Sequence, residues 1–196
     1  MMRSVLPISV AILLGLAAVA PAQTTGHGAP SLAPDDSGAR LDGLFNELKR
    51  AGNEAAAQRI SRLIRQQWSQ SGSATIDLLM IRANKAVDDK KYDAALDYLD
   101  EIVTLAPAYA EGWNLRATVH FAGDDYRRAM ADIDRVLRLE PRHFGAMAGM
   151  AAILKATGHN EAAAAAYERL LDIYPMMREA QTEFGKLADD MAGQGI

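Results

Sequence analysis

Prolines at 107, 141 and 175 recur at one fixed interval, and each closes a helical-looking stretch: TLAP at 104–107, RLEP at 138–141 and DIYP at 172–175. Proline disfavours helical geometry in the residue before it, so the three act as evenly spaced stops. A chain that ends a helix the same way at one interval repeats a single structural unit. Self-similarity with a period of about 20–50 residues marks stacked arrays.

Three equal rows, beginning at Ile76, Ala110 and Phe144, make the register visible. Each row divides into two helix-length halves. The eighth position holds Ala83, Ala117 and Ala151, and the twentieth holds Ala95, Ala129 and Ala163. Small residues at matching points let two helices approach closely. In the second half the apolar residues follow i, i+4, i+7, i+8: Ala95, Leu99, Ile102, Val103; then Ala129, Ile133, Val136, Leu137; then Ala163, Tyr167, Leu170, Leu171. That spacing is one face of an amphipathic helix. Asp89, Asp125 and Asn160 stand near the starts of these helices, where a short side-chain oxygen is expected to cap free backbone N–H groups. A lone helix pair cannot bury such a face, so each pair must lean on the next, and the expected architecture is an α-solenoid.

These residues resemble the tetratricopeptide repeat family. The row from Ala110 carries Trp113, Ala117, Tyr126, Ala129, Ile133, Val136 and Pro141 of its sparse signature. The first row keeps Ala83, Tyr92, Ala95, Leu99 and Pro107, and the third keeps Ala151, Gly158, Ala163, Tyr167 and Pro175, with Asn160 where an aromatic is usual. Arg82 and Arg116 fill a position more often leucine, a variant expected to set guanidinium groups at the edge of a groove. The resemblance implies an all-α, right-handed solenoid of stacked helix-turn-helix units, 76–109, 110–143 and 144–177, with a capping helix and tail over 178–196. Upstream, 41–75 reads as a degenerate additional pair in which Ala56, Ile60, Leu63 and Ile64 repeat the second-helix spacing, and SGSAT at 71–75 breaks the phase.

The N-terminal segment 1–22, MMRSVLPISVAILLGLAAVAPA, combines Arg3, an apolar stretch and an A-x-A pair at Ala20 and Ala22. That order predicts a secretory signal peptide cleaved after Ala22, with an uncleaved membrane anchor as the alternative. Residues 23–40, rich in Gly, Pro, Ser and Ala, read as a flexible linker. The expected location is a bacterial periplasm, with no membrane span in the mature form. Cysteine is absent, which excludes a disulfide framework and a lipidated cysteine. Formal charge is −4, and loss of Arg3 with the leader makes it more negative. Such a balance provides no footprint for phosphates, so nucleic acid is not an expected partner.

Chemistry is sparse. Asp88–Asp89, Asp124–Asp125 and Asp189–Asp190 are sequence neighbours, which do not face each other on a helix. His120, His143 and His159 lack metal-ligand spacing, and His27 stands alone in the linker. No nucleophile-and-base pattern or phosphate-cradling glycine loop is present, so no catalytic residue, cofactor or metal is expected.

The family resemblance implies a concave groove lined by the first helices of successive pairs, taking a peptide or a partner helix. By position it is lined by Asp77, Met80, Asn84, Val87 and Asp88; by Glu111, Asn114, Thr118 and Phe121; by Arg142 and His143 from the closing turn; and by Ala148, Ala152 and Lys155, followed by Met176 and Met177. Some members grip a C-terminal carboxylate with a basic clamp; here Asn84 fits one site, whereas Met80, Leu115, Gly145 and Gly149 stand at the others. The expected function is a non-catalytic interaction adaptor. The competing expectation is a self-assembling protein whose terminal faces stack end to end, and an enzyme or small-ligand binder is the least favoured reading. The partner and the oligomeric state are not specified by these residues.

Overall fold

The computed structural model describes residues 35–193. The proposed leader and the linker up to residue 34 lie outside the described residues. Within them, helices follow one another as α1 (Asp35–Arg50), α2 (Glu54–Trp68), α3 (Ala74–Asp88), α4 (Tyr92–Leu105), α5 (Ala110–Ala122), α6 (Tyr126–Leu139), α7 (Phe144–Ala156), α8 (Asn160–Ile173) and α9 (Arg178–Gly193). No strand occurs among the described residues. The architecture is all-α and solenoid-like: α3 packs on α4, α5 on α6, α7 on α8, and α9 closes the series against α8. None of the described helices is long and apolar enough to cross a membrane.

The sequence period has a backbone counterpart at both kinds of turn. Within each pair, one residue has left-handed geometry: Lys90 (φ 58°), Asp124 (φ 57°) and Gly158 (φ 78°). The next amide then reaches back to the last turn of the helix, from Lys91 to Ala86 O, Asp125 to His120 O and His159 to Leu154 O. This is the Schellman closure, which satisfies helix-end carbonyls that otherwise lack donors. Between pairs, Ala106, Glu140 and Tyr174 leave helical geometry just before the prolines, at φ −132°, −135° and −128°. Their carbonyls accept from Tyr109, His143 and Met177, closing turns in which proline holds the second place. The prolines therefore both stop one helix and aim the next.

The core follows the alanine register. Ala83, Ala95, Ala129, Ala151 and Ala163 are fully buried and Ala117 is 4% exposed, so each pair meets where its side chains are smallest. Leu99, Ile102, Val136 and Leu170 fill the seam around them and are completely enclosed. At Gly112 the contact between the first and second pairs is closer still: a Cβ there would lie 2.6 Å from Ile102 Cγ2.

The capping expectation holds at one site of three. Asp125 caps α6, accepting from Arg128 N at 3.0 Å. Asp89 instead ends α3, and Asn160 is already inside α8, behind His159, which makes no side-chain cap. The Schellman turn sets each second helix to start after position 91, 125 or 159, and only 125 is Asp.

The hairpin α1–α2 is arranged differently from the repeats. Its buried residues Phe45, Leu48, Ala57, Ile60 and Ile64 join one core with α7, α8 and α9. The core under α3 and α4 draws on α5 but on nothing from α1 or α2. Helix α1 begins at Asp35, inside the segment read as linker. The outer face of α3 is left with Leu78 (48% exposed) and Ile81 (66%) in solvent.

Candidate functional site

The first helices α5 and α7 run side by side, and a cleft of about 170 Å³ opens between them. Ala117, Ile133, Ala146 and Ile153 form its floor, and Asn114, Thr118 and Phe121 stand along one rim. Gly145 and Gly149 form the other rim and keep it open. A Cβ at Gly149 would touch Ile133 Cδ1 at 3.4 Å, and one at Gly145 would meet the His143 ring at 3.3 Å. The cleft is thus the counterpart of missing side chains on α7. Phe121, 37% exposed, leans on the Tyr126 ring at 5.6 Å and offers the largest apolar surface at its rim. Thr118 donates its hydroxyl to Asn114 O at 3.0 Å, and Asn114 donates an amide proton to Glu111 at 3.2 Å.

Among the other residues expected to line a groove, Ala148, Met176 and Met177 are partly buried against the core shared with α1 and α2, and two further groups differ in how free they are. On α3, Asp77, Asn84 and Asp88 are exposed, while Met80 and Val87 are half-buried against the first core cluster. Asn84 turns its amide onto Met80 O, and Asp77 accepts from Ser71. The second group is tied up within the chain. Arg142 is clamped by Glu140 (3.1 Å) and Asp42 (2.6 Å) and lies 4.2 Å over the Phe45 ring. Lys155 pairs with Glu183 of α9. Arg142 and Lys155, the basic side chains expected along the groove, are therefore neutralised within the chain.

His143 has a structural role that its sequence position does not reveal. Only 2% exposed, it accepts from Ala146 N through Nδ1 at 3.0 Å, capping α7. An acceptor Nδ1 leaves the proton on Nε2, which faces Glu111 Oε1 at 3.3 Å. Trp68 of α2 stacks on its ring at 4.3 Å, nearly parallel.

A second polar cluster lies between α4, α5 and α6. Arg116 forks onto Asp132 at 2.8 and 2.6 Å, reaches Asp100 at 2.8 Å, and covers the Trp113 ring at 4.7 Å. Asp132 is 4% exposed, and His120 sits 3.8 Å from its carboxylate. The hydrogen bonds to Asp132 hold the Arg116 guanidinium above its usual pKa. Arg116 is therefore built into the pair rather than set at the cleft edge. The sequence carries no signal for this, because the partner carboxylate stands on the facing helix of the pair. Among the described residues no group of three metal-ligating side chains converges.

Comparison with known proteins fits this geometry. A TPR repeat-containing protein of Rhizobium etli is 52% identical over 154 residues, covering 79% of this chain and 76% of that one. The chain belongs to the tetratricopeptide repeat family. No family model matches it. Among solved structures, the first TPR domain of Spaghetti (RPAP3), bound to an HSP90 peptide, superposes with a TM-score of 0.57 at 26% identity. That match covers 60% of this chain and 93% of the domain. The TPR2B domain of yeast Sti1, in complex with an Hsp70 peptide, gives 0.56 at 16% identity over 60% of this chain and 99% of the domain, a likeness of fold.

Proposed function

We propose that this protein is a non-catalytic adaptor of the bacterial envelope, which captures an extended peptide or a partner helix in the cleft between α5 and α7. The observation that carries the proposal is the cleft: apolar on its floor, edged by Phe121, Asn114 and Thr118, and opened by Gly145 and Gly149. An apolar trough with a few polar groups at its rim suits a backbone with one or two apolar anchors. The peptide complexes of similar TPR domains support the class of ligand. The leader-like N-terminal sequence supports export, and with it a partner among envelope proteins.

Envelope extract passed over the immobilised mature chain tests this. Phe121→Ala removes the rim anchor, and Gly149→Leu fills the trough. Both are expected to lose a captured protein that wild type retains, with thermal unfolding of Phe121→Ala nearly unchanged. Equal capture by all three overturns the assignment.

A second reading rests on α3. Leu78 and Ile81 occupy the third and sixth places of their row, and Gly112 and Ala146, the residues matching Leu78, are buried under the preceding pair. An apolar face built for stacking and left bare favours self-assembly through that end. The opposite end is polar, with Gln181, Thr182 and Asp189 exposed on α9. Sedimentation over a concentration series separates the readings: a concentration-independent monomer removes the assembler.

A further inference from the structure

The hairpin α1–α2 approaches the repeats in an unusual direction. Followed from its start, α2 passes successive inter-pair turns in reverse order. Glu54 pairs with Arg178 at the head of α9, and Ser61 is reached by the Tyr174 hydroxyl at 3.5 Å. Arg65 lies 5.5 Å over the Phe144 ring, and Trp68 stacks on His143. Ser69 O then accepts from the Tyr109 hydroxyl at 3.1 Å. A single helix thus runs lengthwise across three turns of the array, as a ligand would, while the α5–α7 cleft remains separate and open.

We propose that this row of turns is a helix-docking surface, covered by α2 in the present conformation, and that a partner's amphipathic helix displaces α2 from it. The pattern that fits is written by α2 itself: a small apolar residue (Ala57), aliphatics three and seven places later (Ile60, Ile64) and an aromatic eleven places later (Trp68), with a basic residue three before the aromatic.

Two features of the present contact make α2 replaceable. The Trp68 indole N–H is buried without an acceptor, an unsatisfied donor that weakens the seat it occupies. The connection to α3 is short, Ser69 to Ser73, with Gly72 at φ +76°, and α2 shares no core with α3. Displacing α2 therefore leaves the core under α3 and α4 intact, while the apolar face that it covers on α7, α8 and α9 passes to the incoming helix.

A fluorescent peptide copying residues 53–70 is titrated into the full mature chain and into an Ile64→Asp/Trp68→Asp variant. That variant weakens α2 and leaves the turn surface untouched. The expected result is at least a tenfold lower Kd for the variant, with α2 amides losing exchange protection and α7 amides keeping theirs. A peptide with alanine in place of its tryptophan is expected to bind at least tenfold more weakly. Phe121→Ala in the same background leaves the binding unchanged, so failure here is distinct from failure of the cleft assignment. The inference is overturned by equal peptide affinity in both chains, or by α2 amides that stay protected in the variant. A stable dimer in the wild-type chain that exchanges hairpins also overturns it, since the occupant is then a second copy.

Discussion

Gly112→Ala tests the stacking of the repeats at its tightest point. The added Cβ would lie 2.6 Å from Ile102 Cγ2, against an ordinary carbon contact of about 3.5–4.0 Å. Ile102 cannot swing away: it is fully buried in the last turn of α4, and a β-branched side chain in a helix has one strongly preferred χ1. The helices must separate, and overpacking of this kind costs about 1–3 kcal/mol. Alanine also recovers about 0.5–1 kcal/mol of backbone entropy relative to glycine. Gly43→Ala, in α1 with nothing within 4 Å, isolates that second effect. The gap between the two variants is then the packing cost alone, about 2–12 °C in melting temperature for a chain of this size. Gly149→Ala, at 3.4 Å, is expected between them. Thermal unfolding followed by circular dichroism reads all three. A Gly112→Ala chain melting with or above Gly43→Ala refutes close contact between the first and second pairs.

Arg116→Ala strands the Asp132 carboxylate, 4% exposed, and is expected to cost about 3–5 kcal/mol in urea unfolding; Arg116→Met with Asp132→Leu should restore most of it. Burial first, then Glu111 and Asp77, push the Tyr109 phenol up to about 12 from 10.0. The unfolded chain therefore ionises first, and stability is expected to fall as pH rises from 10.0 to about 12. Tyr126 and Tyr167 are also raised, so the check is loss of a late step of phenolate absorbance, and a shallower fall in stability, in Tyr109→Phe. Glu183 is held down to about 2 from 4.5 by its hydrogen bonds to Lys155 and Lys186. Its contribution is present above pH 4.5 and lost as pH falls toward about 2, so the advantage of wild type over Glu183→Gln in melting temperature should vanish across that window.

Periodicity alone determined the repeats. Evenly spaced prolines, alanines at two fixed positions and an apolar stripe at helical spacing are local or short-range signals, and hairpins stacked on their neighbours obey them almost residue by residue. The family resemblance places Phe121 on a groove, and the residue stands on α5 beside the α5–α7 cleft. Three things required the folded chain. His143 caps α7 because a turn brings its Nδ1 to Ala146 N, Arg116 turns inward because Asp132 lies on the facing helix, and Asp42 meets Arg142 from the far end of the chain. The placement of α1–α2 is the largest departure from what the sequence spells out. Its apolar spacing, Ala56, Ile60, Leu63 and Ile64, reads as that of a repeat helix, but the face it buries is Ala57, Ile60, Ser61 and Ile64, with Leu63 41% exposed. The spacing says that a face must be buried, without saying which one or against what. The hydrophobic effect is non-directional, so that choice fell to tertiary shape: Trp68 against His143, Arg142 over Phe45, and a row of turns on which one helix fits end to end.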